Sequence, residues 1–355
     1  MERGDESETV HEGFMKRAIA LARRGVGRVS PNPLVGAVLV KKGRIVAEGY
    51  HLYQKKNHAE VVALERAGRQ AAGASLYLNL EPCTHQGRTP PCVDRIVEAR
   101  VAQVYVAVRD PNPQVAAKGV QRLRKQGIGV HEGLCRGEAL VLNEKYLHYM
   151  ERKRPFVLLK LAMTLDGKIA TGSGQSQWIT GAQARKEVHR LRYEYDALLV
   201  GVNTLLKDDP SLDVRLTRSN SINKVILDSS LRTPPKAKLF NSSDRVILFC
   251  GRQAPKTRFE TLSKKATLIR VSGKKGQLNW KEVLAHLARL KITSLIIEGG
   301  AQVAASALHA GIIQKIHFFY GPKILGGSGL SGIEDLGVSR LEEAIKLREV
   351  RLKRL

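Results

Sequence analysis

The stretch from His58 to Cys92 decides the fold of the first half of the chain. It opens with His-Ala-Glu at positions 58–60 and closes with EPCTHQGRTPPC at positions 81–92, so Cys83 and Cys92 each directly follow a proline. One imidazole and two thiolates give a zinc ion three protein ligands and leave a fourth tetrahedral position open, as in catalytic zinc sites. His58, Cys83 and Cys92 are therefore the predicted zinc ligands.

Glu60 follows the histidine by two residues, on the predicted first turn of a helix. From there its carboxylate can face the metal site without being needed as a ligand, which suits a group that carries protons in general acid–base catalysis. Histidine-x-glutamate followed by Pro-Cys and a second cysteine is the signature of zinc deaminases, which remove an amino group from a ring carbon. Glu60 is the predicted catalytic residue.

The same residues could also serve roles that need no metal. A lone histidine or cysteine is usually a packed core residue, and a His-Ala-Glu tripeptide often occurs by chance. A disulfide between Cys83 and Cys92 is the main alternative to a metal. Because the chain has only four cysteines and no apolar signal segment opens it, we expect a reducing cytoplasm, which disfavours the disulfide.

Length and composition predict two folded domains. A chain of 355 residues exceeds the usual span of one core. The charged run at positions 151–154, closed by Pro155, has the character of a linker. We therefore expect a first domain at residues 1–150 and a second at residues 155–355. The chain has no apolar run of the roughly eighteen residues that a membrane helix needs, so we expect no membrane partner.

The formal net charge of +26 raises nucleic-acid binding as an alternative function. Against it, the Lys and Arg residues are spread along the chain, and aromatic residues, which would stack on bases, make up only 5%. Phosphorylated small-molecule substrates and a generally basic surface account for the charge. We therefore expect no nucleic-acid partner.

Apolar periodicity predicts a mixed sheet between helices in the first half. Residues 1–12 are expected to fray, and a helix is expected from Phe14 to near Gly25. A hairpin, a helix starting at His58, strands alternating with helices and one helix over residues 138–149 follow. In the second half a strand at residues 295–298 runs into Gly299 and Gly300 and then a helix. Such a junction can receive a phosphate, although many glycines after strands only permit a tight turn.

Several motifs in this order resemble the bifunctional deaminase and reductase family of riboflavin biosynthesis. They are SPNPLVG at 30–36, HAE at 58–60, EPCTHQGRTPPC at 81–92, RDPNP at 109–113, KLAMTLDGK at 160–168, QWIT at 177–180, DDP at 208–210, EGG at 298–300 and GPKIL at 321–325. The spacing of the two cysteines is longer than in the general deaminase signature and resembles this family. The resemblance implies an α/β chain with a cytidine-deaminase-like three-layer domain followed by a dihydrofolate-reductase-like domain.

The same resemblance implies two reactions and two cofactors. The first is zinc-dependent hydrolytic deamination of 2,5-diamino-6-(5-phosphoribosylamino)pyrimidin-4-one. The second is NADPH-dependent reduction of the ribosyl group to the ribityl phosphate. It also implies a homo-oligomer, and it places the residues that hold the deamination substrate at Asn32, Arg88, Asp110 and Asn112. Arg88 suits the phosphate because the guanidinium fork matches phosphate oxygens.

In the second half the resemblance implies a cofactor site and a substrate site. The cofactor residues are Ala162, Trp178, Thr204, Asp208, Ser229, Gly300, Ala301, Gln302, Val303, Ala304, Ala305 and Ser306. The substrate residues are Ser176, Arg192, Leu212, Arg215 and Glu298. On the residues alone, Trp178 would be assigned to core packing and Arg192 to a solvated helix face.

Two alternative functions come from different classes. A zinc-dependent nucleic-acid deaminase acting on tRNA fits the shared zinc motif and the basic charge, but leaves the second half without a purpose beyond an accessory domain. A non-catalytic zinc-stabilised binding protein requires that Glu60 has no chemical role.

Overall fold

The computed structural model of the protein describes residues 3–86, 90–113, 115–215, 221–274 and 276–355. The chain divides into two compact units, Met1–Arg154 and Pro155–Leu355. Both units are built of helices packed on a sheet, as the α/β prediction states. Within the described residues, none of the helices combines the length and apolar character needed to traverse a lipid bilayer.

The first unit forms a mixed sheet in the order β2-β1-β3-β4-β5. Strand β1 runs antiparallel to β2 and β3, whereas β3, β4 and β5 are parallel. The elements are α1 Arg3–Arg23, β1 Gly36–Lys41, β2 Arg44–Tyr50, α2 Ala59–Ala67, β3 Ser75–Leu78, α3 Cys92–Glu98, β4 Gln103–Val106, α4 Lys118–Lys125, β5 Gly129–Glu132, α5 Arg136–Leu142 and α6 Glu144–Arg152, with a short 3₁₀ turn at Gly68–Ala71.

Helices cover both faces of this sheet and form three layers. Helices α2, α3 and α4 bury residues such as Leu64, Ile96 and Leu123 on one face. Helices α1, α5 and α6 bury residues such as Ile19 and Leu147 on the other. Because β3 and β4 are parallel neighbours, the loops that leave their carboxyl ends emerge side by side.

Two expectations for this unit are wrong. Helix α1 begins at Arg3 rather than near Phe14. The His11 imidazole lies 2.6 Å from the Tyr77 hydroxyl and stacks on Tyr105, so tertiary contacts order a stretch that composition alone marks as frayed. The single helix over residues 138–149 is two helices, α5 and α6. They are separated at Asn143, whose side chain bonds to the backbone of another loop.

The second unit forms an all-parallel sheet in the order β11-β10-β9-β8-β14-β6-β15, with β7–β16 and β12–β13 as small separate pairs. Its elements are β6 Phe156–Thr164, β7 Lys168–Ala170, α7 Ala182–Glu194, β8 Ala197–Gly201, α8 Val202–Asp208, β9 Asn223–Leu227, β10 Val246–Gly251, α9 Lys256–Ser263, β11 Thr267–Val271, β12 Gly273–Lys274, β13 Gln277–Leu278, α10 Trp280–Arg289, β14 Ser294–Ile297, α11 Ala301–His309, β15 Lys315–Gly321 and β16 Leu330–Ser331. Short 3₁₀ turns lie at Lys238–Asn241 and Leu341–Glu343.

The central strands of this sheet are apolar on both faces, as expected for a parallel sheet covered by helices. Helices α7, α8 and α9 contribute to one core and α10 and α11 to the other. The apolar pattern of the sequence does not predict strand β15, because Lys315 and His317 interrupt it and β15 lies at the sheet edge. The carboxyl ends of β8, β9 and β14 bring together the segments at Gly201, Asp228 and Glu298.

Replacement of Gly36 tests how closely α1 must approach β1. A Cβ at Gly36 would lie 2.1 Å from the Ala18 carbonyl oxygen and 2.8 Å from the Ala22 nitrogen, both backbone atoms of α1. We expect Gly36→Ala to lower the free energy of the opening that exposes the β1 amides to exchange by roughly 1–3 kcal/mol, because α1 or β1 must shift. Native-state hydrogen exchange measures this. Gly13→Ala is the control, since a Cβ there meets nothing within 4 Å; equal protection in the two variants would contradict the expectation.

Candidate active sites

Three elements of the first unit converge on a common point. His58 directly precedes α2, Cys83 lies in the loop after β3, and Cys92 opens α3. The Nδ1 atom of His58 lies 3.2 Å from the Cys92 sulfur and 3.6 Å from the Cys83 sulfur. One ligand atom from each residue falls within 4.8 Å of the other two. The structure therefore brings the three predicted zinc ligands together.

The sulfur atoms are not bonded to each other, so the disulfide alternative is wrong. The Cys92 thiol donates a hydrogen bond to Cys83, and this bond, with a further one from His58, lowers the pKa of Cys83 in spite of its burial. The pKa of Cys92 is raised by the same bond and by its burial. A thiolate is therefore already favoured at one ligand position, and thiolate is the form that binds metal.

Glu60 lies beside these ligands on the first turn of α2 and is only 3% exposed. Burial raises the pKa of its carboxyl group, against the lowering effect of the His58 charge. Its Oε2 atom is buried and has no hydrogen-bond partner among the residues that the structure describes. A buried acid with an unsatisfied oxygen next to two sulfurs and an imidazole fits a cation and a water at this point.

Two loops flank the metal site. Asn32 lies in the first, where its Nδ2 is 3.0 Å from Nε2 of His51, a buried residue whose ring packs edge-on against His58. Asp110 and Asn112 lie in the second loop, where the Asp110 carboxylate accepts the Asn112 backbone N–H at 2.9 Å. Three of the four predicted substrate residues are therefore on loops beside the metal site. Arg88, the fourth, lies outside the described residues.

Buried polar residues that the sequence analysis did not identify hold the second loop. The Glu81 carboxylate accepts backbone N–H groups of Asp110, Ala117 and Val120 at 3.1–3.2 Å. Because Glu81 lies two residues before Cys83, it connects the ligand loop to the Asp110 loop. Burial raises the pKa of Asp110 to about 6, although the Asn112 N–H and the Tyr146 hydroxyl both lower it.

A buried ion cluster lies at the carboxyl edge of the second sheet. Glu298, after β14, accepts two hydrogen bonds from the Arg192 guanidinium at 2.8 and 2.9 Å, and Lys160 on β6 lies 3.4 Å away. Burial alone would raise the pKa of Glu298, but the Lys160 and Arg192 charges outweigh it and bring the pKa to about 2. Arg192 is therefore not a solvated helix residue, and Lys160 is a member of the cluster that the sequence analysis did not identify.

Among the residues predicted to contact the cofactor, Trp178 is exposed, whereas most of the others lie on or beside helix α11. Trp178 is 60% exposed, with the Arg185 guanidinium 4.6 Å from its ring centroid, so its assignment to core packing is wrong. Thr204 lies beside Gly300 at the start of α11, where its hydroxyl would be 3.4 Å from an added Cβ. Other side chains of α11 point inward: Ala304 and Ala305 are buried, and Ser306 accepts a bond from Trp280.

The remaining predicted residues differ in their exposure. Leu212 is buried, Ser176 and Ser229 are half-buried, and Asp208 and Arg215 are exposed. Ala162 is partly buried on β6. Gln302 Oε1 accepts from Asn203, and Val303 is packed against Gly299 and Gly201.

Removal of one predicted ligand tests the metal site. We expect the unaltered chain to retain about one zinc ion through dialysis and Cys83→Ser and Cys92→Ser to lose nearly all of it, because a serine hydroxyl is a poor ligand for zinc. Cys135→Ser is the matched control, since its sulfur lies near the Glu12 carbonyl instead. Metal content by mass spectrometry gives the result. Full zinc in either ligand variant would remove that cysteine from the site.

The Glu298 cluster has a testable pH dependence. The pKa of Glu298 in the folded protein is depressed below its value of about 4.3 in the unfolded chain. The stabilisation that ionised Glu298 gives to the fold is therefore complete above that pH and is lost as the pH falls toward 2. We expect Glu298→Gln to lower the stability of the second unit by roughly 3 kcal/mol at pH 7, with the deficit vanishing toward pH 2. Hydrogen exchange of the β6 and β14 amides measures it. Glu187→Gln, in an exposed pair with Arg190, is the control; a deficit constant with pH would contradict the expectation.

Each of the two units matches a known protein family. Residues 8–108 match the cytidine and deoxycytidylate deaminase zinc-binding region, and residues 155–355 match the RibD C-terminal domain. The chain is 44% identical to riboflavin biosynthesis protein RibD of Aquifex aeolicus, over 98% of this chain and 96% of that protein. It is 38% identical to RibD of Escherichia coli, over 96% of both chains.

Solved structures agree with these matches. RibD of Acinetobacter baumannii superimposes with a TM-score of 0.87 at 35% identity, covering 96% of this chain and 94% of that chain. A Thermotoga maritima protein described as a diaminohydroxyphosphoribosylaminopyrimidine deaminase/5-amino-6-(5-phosphoribosylamino)uracil reductase gives a TM-score of 0.84 at 39% identity, covering 97% and 95%. These matches confirm the predicted fold class and favour the bifunctional enzyme over a tRNA deaminase. The chain therefore belongs to the RibD family of riboflavin biosynthesis, and is a zinc-dependent deaminase joined to an NADPH-dependent reductase.

Proposed function

We propose that residues 1–154 deaminate 2,5-diamino-6-(5-phosphoribosylamino)pyrimidin-4-one and that residues 155–355 reduce the ribosyl group of the product to the ribityl phosphate. The observation that carries the first assignment is the convergence of His58, Cys83 and Cys92 beside the buried acid Glu60, whose Oε2 has no hydrogen-bond partner among the described residues. Both activities are those by which the Thermotoga maritima relative is described. The division of labour follows the two compact units.

In the deaminase site His58, Cys83 and Cys92 hold zinc. When bound, zinc supplies a Lewis acid that lowers the pKa of a coordinated water. Glu60 moves two protons in turn: its buried carboxylate accepts the first from the attacking water at Oε2 and gives it to a ring nitrogen, then accepts the second from the same oxygen and gives it to the departing amine, which leaves as ammonia. Burial raises the pKa of Glu60, which favours the protonated form in which it holds the proton that it moves.

The two flanking loops orient the pyrimidine. Asn32 offers amide hydrogen-bonding groups from one side, and Asp110 with Asn112 offers polar groups from the other. Arg88, in the same motif as the cysteines, takes the phosphate in this proposal. Orientation of this kind contributes to rate because it replaces a bimolecular encounter by a reaction between groups already in place.

In the reductase site the residues at the carboxyl edge of the parallel sheet would hold the cofactor. Gly300 allows NADPH to approach the start of α11, next to Thr204, and Trp178 offers an exposed aromatic surface. Arg192 and Glu298 hold the substrate, with Ser176, Leu212 and Arg215 around them. NADPH supplies the hydride chemistry itself, so the chain's part is to orient the two molecules and exclude water.

The proposal extends to partners and location. The substrates are phosphorylated small molecules, which the basic charge of +26 favours by attracting anions. The low aromatic content of 5% provides few stacking platforms for bases, so no nucleic-acid partner is included. The proposal also includes an assembly of identical subunits in the cytoplasm.

Replacement of Glu60 tests the deaminase mechanism. We expect Glu60→Gln to retain zinc and the reductase activity but to lower ammonia release from the pyrimidine by at least about a thousandfold, because the amide cannot accept a proton. Ammonia release, NADPH oxidation with the deaminated intermediate, and metal content are measured on one preparation.

Glu65→Gln, further along α2 and exposed, is the matched control and should behave as the unaltered chain. Normal ammonia release in Glu60→Gln would remove Glu60 from the mechanism. Deamination of a tRNA anticodon, without turnover of the phosphoribosyl pyrimidine, would replace the proposed substrate by a nucleic acid.

A further inference from the structure

The two loops that carry Asn32 and Asp110 are both bonded to a single turn of helix α6. Asn143 immediately precedes that helix and Tyr146 lies three residues later, on its first turn. Residues three apart on a helix project from neighbouring positions of one face. Both side chains are buried, with exposures of 3% for Asn143 and 8% for Tyr146.

Asn143 holds the first loop through its backbone. Its Oδ1 accepts the Leu34 N–H at 2.9 Å, and its Nδ2 donates to the Leu34 carbonyl at 2.9 Å. Asn79 on the other side of the same loop donates to that carbonyl and accepts the Gly36 N–H, each at 2.8 Å. Leu34 is two residues from Asn32, so these bonds fix the segment from which Asn32 reaches the site.

Tyr146 holds the second loop by a hydrogen bond to the carboxylate of Asp110. The Tyr146 hydroxyl lies 3.2 Å from Oδ1 and 3.0 Å from Oδ2 of Asp110 and donates to this carboxylate. Glu81 fixes the backbone N–H of the same residue at 3.2 Å. Asp110 is 6% exposed. Its main chain and its carboxylate are thus held by different elements of the fold, and Tyr146 is the residue of α6 that reaches the carboxylate.

We propose that Asn143 and Tyr146 are positioning residues for the deamination, which fix the Asn32 loop and the Asp110 loop against one turn of α6. The inference rests on the proposed function, because it takes Asn32 and Asp110 to contact the pyrimidine. The bonds described for the two residues go to the loops and not to the metal ligands. Their effect reaches the substrate through the loops that they hold.

Removal of the Tyr146 hydroxyl tests this inference, because KM and kcat for deamination should change by different factors. We expect Tyr146→Phe to raise the KM for deamination about tenfold while kcat falls less than about threefold, because a bond to a charged group that orients substrate is lost. Zinc content and the kinetics of NADPH oxidation by the second unit should not change. Asn143→Ala should raise the same KM through the other loop.

Tyr105→Phe is the matched control. It deletes one hydroxyl from another buried tyrosine of the same unit, where the group bonds to Gln103. A KM for Tyr146→Phe equal to that of Tyr105→Phe would overturn the inference. A parallel loss of zinc or of reductase activity would also overturn it, since the hydroxyl would then support the fold in general.

A double-mutant cycle with Asp110→Asn separates the inference from the function on which it rests. If Tyr146 acts through Asp110, Tyr146→Phe has no further effect on KM in the Asp110→Asn background. Additive effects would overturn the inference and leave Asp110 as a substrate residue. An unchanged KM in Asp110→Asn itself would overturn the assignment of Asp110 to the substrate.

Discussion

The convergence of a buried acid and a buried sulfur with a half-buried imidazole and a half-buried second sulfur is the constraint on which the first unit depends. Taking such groups out of water is unfavourable unless each finds a partner. Cys83 and Cys92 partly satisfy one another through a shared hydrogen bond, whereas Glu60 keeps an unsatisfied oxygen among the described residues. Metal binding relieves this arrangement, since the affinity of a ligand set for its ion adds to the stability of the fold that assembles it. The groups that are unfavourable to bury are thus the ones that the chemistry uses.

The two sites treat a buried carboxylate in opposite ways. Glu298 is neutralised by Arg192 and Lys160, and its pKa is held at about 2, so it stays ionised and serves as a fixed charge. Glu60 has no such pairing with a lysine or arginine among the described residues, and burial raises its pKa. This difference matches the chemistry, because hydrolysis requires a group that gains and loses protons, while hydride transfer from NADPH requires orientation.

The sequence was sufficient for those parts of the fold and sites whose signals are local. The mixed sheet of the first unit follows from periodicity, and the spacing of His58, Cys83 and Cys92 indicates a metal site. Residues with long-range roles were missed: Glu81, Asn143, Tyr146 and Lys160 bond to partners that no local pattern reveals. Helix α1 began earlier than predicted and the helix at residues 138–149 was divided at Asn143, in each case because a tertiary contact outweighed local preference. Asn143 offered one signal for this division, since an asparagine side chain competes for backbone hydrogen bonds and therefore disfavours the interior of a helix.

Loops without strand partners need another source of order, and here buried polar side chains provide it. Asn79, Asn143 and Glu81 direct their hydrogen bonds to backbone N–H and C=O groups of the loops beside the metal site. Such bonds satisfy main-chain groups that would otherwise be buried without partners, and they are directional in a way that apolar packing is not. The positions of Asn32 and Asp110 beside the metal ligands are therefore set by residues from other parts of the chain, which is why a local sequence pattern does not reveal the order of these loops.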